Sequence, residues 1–240
     1  MLYKIVLKRG IYLMLLLFFF HVTACLAQTT RVSKYGVPVI NKLADYQLTV
    51  RNDSAKKMVE LLKLIPGIVY DLRYAGTNNF THLQLYVPAT RHTFLRLPAA
   101  RALAAVQKDL NARGYGLKIF DAYRPYNVTV KFWELIKDER YVANPSRGSG
   151  HNRGLAVDLT LIDLKSHREL EMGTGFDNFS DTAHHSFTAL PSAVLEQRKL
   201  LTDVMEKHGF NKLETEWWHF FWNNDRGYEV LDIPFEEFVK

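Results

Sequence analysis

Between Leu155 and Leu161 the chain alternates: Leu155, Val157, Leu159 and Leu161 turn to one face, and Ala156, Asp158 and Thr160 turn to the other. This is the pattern of a core strand, and a carboxylate stands in the middle of it. Burying Asp158 on a small-residue face without a partner is costly, so the fold must bring a metal or another cation to it. His151 lies just before this strand. Gly154 lets the chain turn so that His151 folds back toward Asp158.

A second cluster of chemical side chains is Glu214-Thr215-Glu216-Trp217-Trp218-His219. Glu216 and His219 are three residues apart, so on an ideal strand they point to opposite faces. A bulge or an irregular strand end is needed to bring both to one site. The aromatic flank (Trp217, Trp218, Phe220, Phe221, Trp222) makes dry surroundings, which raise a carboxylate pKa toward a useful general-base value. Two His and one Asp form a catalytic zinc shell with the fourth position left for water, whose pKa zinc lowers to roughly 7. The ligands expected on this reading are His151, Asp158 and His219, with Glu216 taking the water's proton. A third segment, Phe120-Asp121-Ala122-Tyr123-Arg124-Pro125, puts Arg124 at a strand exit, where a fixed guanidinium can stabilise an oxyanion. His82, His92, His167, His184, His185 and His208 are assigned no role.

The rest of the chain reads as an α+β domain with a mostly antiparallel sheet flanked by helices. Apolar spacing predicts helices over Met58–Ile65, Leu97–Arg113, Asn127–Asp138 and Pro191–His208. Strands are predicted near Ile68–Tyr70, Gly116–Tyr123 and Thr215–Trp222, with a long polar loop over 171–188. A hydrophobic content of 48% supplies a core. Residues 28–55 read as a linker or N-terminal arm and 56–240 as the catalytic domain.

The first 27 residues have the layout of a secretory signal. Lys4, Lys8 and Arg9 precede an apolar run from Ile11 to Phe20, and small residues follow. Val22-Thr23-Ala24-Cys25 resembles a bacterial lipobox, in which the Cys is lipidated; cleavage after Ala27 is the competing reading. Both place the mature protein outside the cytoplasmic membrane, periplasmic or lipid-anchored. Cys25 is the single cysteine, so neither an internal disulfide nor a thiolate zinc site is available. Of the net charge of +6, three positive charges lie in the leader, and the remaining +3 does not mark a nucleic-acid binder.

Taken in order, S-x-H-x-x-G-x-A-x-D (149–158) followed by E-x-W-H (216–219) resembles the zinc D,D-peptidases, a family with a hedgehog/D,D-peptidase-like fold. Asp71-Leu72-Arg73-Tyr74-Ala75, Asn79-Phe80-Thr81 and Met172-Gly173-Thr174-Gly175-Phe176-Asp177 resemble the VanX-type dipeptidase branch. The resemblance implies one zinc per chain on His151, Asp158 and His219, Glu216 as base and Arg124 as the arginine steadying the transition state. It also implies that Ser149 and Asp177 hold the free amino end of a dipeptide. The implied partner is a small molecule, D-Ala-D-Ala or a related D,D-dipeptide, in cell-wall turnover or salvage. The alternatives are a D,D-carboxypeptidase or endopeptidase on wall stem peptides, and a non-catalytic zinc-containing wall-binding protein.

Overall fold

The computed structural model describes residues 31–88 and 90–239. The signal segment and Cys25 lie outside the described residues. Along the chain the strands are β1 (Arg31–Val32), β2 (Pro38–Ile40), β3 (Met58–Glu60), β4 (Val69–Tyr70), β5 (Phe94–Arg96), β6 (Tyr115–Asp121), β7 (Ala156–Asp163), β8 (Phe210–Leu213), β9 (Glu216–Trp222) and β10 (Val230–Leu231). The α-helices are α1 (Leu43–Asn52), α2 (Leu61–Leu64), α3 (Leu97–Asn111), α4 (Tyr126–Ile136) and α5 (Ser192–Lys207).

Five strands form the central sheet in the order β4-β6-β7-β9-β8, and β7 occupies its middle. Only the β4–β6 pair is parallel; β6–β7, β7–β9 and β8–β9 are antiparallel. The α+β class with a mostly antiparallel sheet is therefore what the chain adopts. The aliphatic face of β7 (Val157, Leu159, Leu161) packs into the main core with Leu103, Val106 and Leu110 of α3 and with Leu201, Val204 and Met205 of α5. Both helices lay an apolar stripe on the sheet, and Pro98 sits in the first turn of α3, where a missing N–H costs nothing. A second core cluster contains Tyr74, Tyr86, Tyr123 and Phe132. Asp158, on the other face of β7 from those aliphatic side chains, is only 3% exposed.

Two segments depart from the sequence reading. Met58–Ile65 is not one helix: Met58–Glu60 pairs with Phe94–Arg96 as an antiparallel ribbon, and only Leu61–Leu64 is helical. Burial of Met58 and Glu60 with Val59 half-buried follows a period of two, which three residues are too few to display in sequence. The stretch read as a linker or arm carries β1, β2 and α1 from residue 31 onward. Its β2 pairs in parallel with β10, and Ile40 and Tyr46 are buried in the second core cluster. The backbone N–H of Met58 donates to the Tyr46 hydroxyl at 2.6 Å, tying α1 to β3. Among the described residues no helix is long and apolar enough to cross a membrane.

Candidate metal centre and substrate cavity

Asp158 and His219 face each other directly in the β7–β9 register. Antiparallel partners on one face lie close together, and the His219 Nδ1 is 2.8 Å from the Asp158 Oδ1. His151 arrives from the short turn before β7. Its residue Gly154 adopts φ +68°, and a Cβ there would come within 2.7 Å of the Met58 side chain. Only glycine combines that conformation with so close an approach. The His151 Nε2 then lies 3.3 Å from the His219 Nδ1 and 3.4 Å from the Asp158 Oδ2.

These distances test the metal. Tetrahedral zinc with bonds near 2.0–2.2 Å separates its ligand atoms by about 3.3–3.5 Å; here the two imidazole nitrogens are 3.3 Å apart, each has an oxygen of Asp158 within 3.4 Å, and one ligand atom from each of the three residues can be chosen with all within 4.8 Å of one another. His151 also has a held tautomer. Its Nδ1 lies 2.7 Å from the Ala122 carbonyl, which accepts a hydrogen bond from the Nδ1–H and so leaves Nε2 free to ligate. The donor set and its spacing fit zinc. His151, Asp158 and His219 form the metal-competent cluster among the described residues.

Glu216 reaches the same place. The β8–β9 register slips: Lys212 opposes Phe220, but the next residue, Leu213, opposes Glu216. The extra residues on β9 are the irregularity that the three-residue spacing requires, and they bring the Glu216 Oε2 to 4.0 Å from the His219 Nδ1. Arg124 enters from the end of β6. Asp121 accepts from its Nε at 2.9 Å and from its Nη2 at 2.7 Å, and that Nη2 lies 3.7 Å from Asp158. The guanidinium sits over the rings of Phe132 at 4.7 Å and Tyr74 at 5.1 Å.

One cavity of about 280 Å³ is lined by all seven residues singled out as catalytic, metal-binding or substrate-binding: Ser149, His151, Asp158, Asp177, Glu216, His219 and Arg124. Phe80, Phe132, Phe179 and Trp218 supply its apolar walls. Asp177, in the left-handed region at φ +61°, accepts from the Tyr74 hydroxyl at 3.0 Å and from the Phe80 N–H at 3.3 Å. The Ser149 hydroxyl accepts from the backbone N–H of Asn152 at 3.2 Å. His184 and His185 contribute nothing to the metal cluster.

The family model described as D-ala-D-ala dipeptidase, of the M15 peptidases, matches residues 54–240. The chain belongs to that family. The D-alanyl-D-alanine dipeptidase of Escherichia coli (strain K12) is 34% identical over 183 residues, covering 76% of this chain and 93% of that one. The enzyme of the same name from Enterococcus faecalis (strain ATCC 700802 / V583) is 28% identical, covering 73% and 92%. Among solved structures there is a likeness to "VanYB in complex with D-Alanine-D-Alanine" at TM-score 0.38 and 15% identity, covering 56% of this chain and 75% of that one, too slight to argue from.

In this M15 peptidase the cavity's electrostatics are set by burial. Burial pushes the Glu216 carboxyl up to about 7, against the pull of His219. Burial, reinforced by the negative charge of Asp158, likewise pushes Asp177 up to about 7. For Asp158 burial acts upward too, but the imidazoles of His151 and His219 overcome it and hold the carboxyl well below its ordinary value.

Several side chains that shape the site had no role in the sequence reading. Asp121 is fully buried and also accepts from the Tyr86 hydroxyl at 2.6 Å. Asn152, equally buried, donates to the Arg124 carbonyl at 2.8 Å and to the Thr129 hydroxyl at 2.9 Å, and accepts from the Ser149 N–H at 3.0 Å. Asp121, in Ile119-Phe120-Asp121-Ala122, is like Asp158 a carboxylate inside an apolar strand, and carries the same signal in the sequence.

Proposed function

We propose that this protein hydrolyses D-alanyl-D-alanine to two D-alanines, with His151, Asp158 and His219 holding zinc. The observation that carries the reading is Asp177: a half-buried, poorly hydrated carboxylate sharing one small cavity with the metal cluster, Glu216 and Arg124. A free ammonium is the natural partner for a buried carboxylate, and a dipeptide presents one next to its only peptide bond.

Zinc bound at the cluster supplies Lewis acidity toward the scissile carbonyl and makes water a better acid. The Glu216 carboxylate removes a proton from the attacking water as the new C–O bond forms. It passes that proton to the nitrogen as the C–N bond breaks, so the base is regenerated. Arg124, braced by Asp121, faces the oxygen on which negative charge develops. Asp177 binds the amino end, helped by Ser149, which lines the same cavity. The aromatic walls exclude bulk water and so strengthen each of these interactions.

The test is release of D-alanine from D-Ala-D-Ala by the zinc-loaded protein. Turnover should vanish with a chelator and return with zinc, and an N-acetylated dipeptide should not be cut. Cleavage of the N-acetylated dipeptide as fast as the free one would shift the assignment to a D,D-carboxypeptidase or endopeptidase. The leader supports export, and with it turnover or salvage of wall-derived dipeptides. Fractionation and the mass of the mature N-terminus decide between lipidation at Cys25 and cleavage after Ala27.

A further inference from the structure

The proposed substrate carries a carboxylate as well as an ammonium, and the cavity is poor in places to put it. Asp158, Asp177, Glu216 and Glu139 all line it. A second cavity of about 310 Å³ opens from the first, sharing Glu139, Arg140, Tyr141, Phe179, Thr215 and Glu216 with it and adding Asp181 and His184. Both spaces would repel an anion unless a cation is set against it. Arg124 is already braced by Asp121 beside the metal cluster. The remaining guanidinium is Arg140, which lines both cavities at their junction.

Arg140 is posed for such a contact. Its Nε and Nη2 donate to Asp138, at 3.0 and 2.6 Å, along one edge of the guanidinium. Its flat face lies 5.1 Å from the Tyr141 ring, Tyr141 packs on Phe179 at 5.0 Å, and Phe179 packs on Phe80 at 5.3 Å. The side chain is therefore propped at the mouth by an aromatic shelf that runs into the cavity wall. Its orientation is held from one edge, and the fork remains largely exposed. Glu139, the neighbouring acid, is turned to Asn144 and Arg147.

We propose that Arg140 binds the C-terminal carboxylate of the dipeptide, which makes it a specificity residue for substrates that end one residue past the scissile bond. The proposal rests on the dipeptidase reading. Asp177 takes the amino end, and Glu216 delivers its proton to the leaving residue. Glu216 lines both cavities, so the leaving residue extends toward their junction. A guanidinium recognises a carboxylate through paired N–H donors, which an ammonium cannot do in the same geometry.

The experiment compares D-Ala-D-Ala with its C-terminal amide in the zinc-loaded wild type, Arg140→Gln and Arg140→Lys. For the free acid, Arg140→Gln should raise KM about three- to tenfold, the range for a partly exposed charge-assisted contact, with kcat nearly unchanged. Arg140→Lys should recover part of the loss. For the amide, wild type and Arg140→Gln should have the same KM. Zinc content and melting temperature should match in all three proteins, because Arg140 is an exposed residue outside the metal cluster. Equal KM values for the free acid, or an equal loss on acid and amide, would overturn the assignment while leaving the dipeptidase reading intact. A wild type that cleaves neither compound would overturn both.

Discussion

Asp158 is tolerable in the core because two imidazoles converge on it, and the same convergence makes a metal site. The roles of the surrounding carboxyls follow from how each is partnered. Glu216 has the apolar wall and no tight cation, so burial lifts it to about 7. A general base works deprotonated, so kcat/KM should rise with pH along an acid limb. That limb should lie above the ordinary glutamate value near 4.5 and at or below about 7, because bound zinc pulls the carboxyl down. Glu216→Gln should keep its zinc and lose about 10²–10⁴ in kcat, whereas His219→Ala should lose metal as well; metal analysis beside the pH–rate profile checks both. Asp121 holds the Arg124 guanidinium, and on the proposed mechanism it is a positioning residue. Asp121→Asn should lower kcat by about 10–100-fold, the usual cost of losing an outer partner at a metal site, while KM changes less. Equal kcat in the variant and wild type would show that Arg124 needs no brace.

At the level of elements, two irregularities build the site. One is the slip in the β8–β9 ladder, which lets Glu216 and His219 share a face although they are three residues apart. The other is the turn after His151, closed by Gly154 against Met58 and β5, with the Arg96 N–H donating to the Gly154 carbonyl at 2.8 Å. Gly154→Ala should destabilise by about 1–3 kcal/mol through the left-handed backbone alone, and the clash with Met58 should displace His151. Denaturant unfolding and zinc affinity should therefore fall together; loss of stability with unchanged zinc affinity would mean the turn does not position its ligand. The Met58 strand shows why such parts were not legible in the sequence. Strands of two to four residues have no measurable period, and their conformation is imposed by a partner distant in the chain. The long helices and β7 were legible because each repeats its apolar pattern over several turns or residues.

For the whole molecule, the half-buried cavity acids make stability depend on pH and metal together. Glu216 and Asp177 are raised to about 7 from ordinary values of 4.5 and 3.8. The folded metal-free protein thus keeps protons that the unfolded chain releases, and this stabilisation, full below the unfolded values, is lost as pH rises through about 7. His185, lowered to about 4 chiefly by burial, works in the opposite direction but only up to its ordinary 6.5. The two carboxyls outweigh it, so the melting temperature of metal-free protein should fall between pH 5 and pH 8. Zinc needs deprotonated ligands, so the stabilisation it adds should grow over the same interval. Calorimetry with and without chelator measures both; a metal-free melting temperature that climbs from pH 5 to pH 8 would contradict the assignment of buried protons.

The sequence by itself determined the α+β class, the long elements, the family and seven of the side chains that line the cavity. Those properties are carried by periodicity and by the order of rare polar residues within apolar segments, both of which are local. The tertiary structure alone decided that β7 lies at the centre of the sheet, that residues 31–52 pack onto the body, that Asp121 and Asn152 brace the site, and that Arg140 stands where two cavities meet. Each of these depends on pairing between segments far apart in sequence. The direction of a side chain at a bulge, a left-handed turn or a loop is set by what packs against it and leaves no periodic trace in the chain.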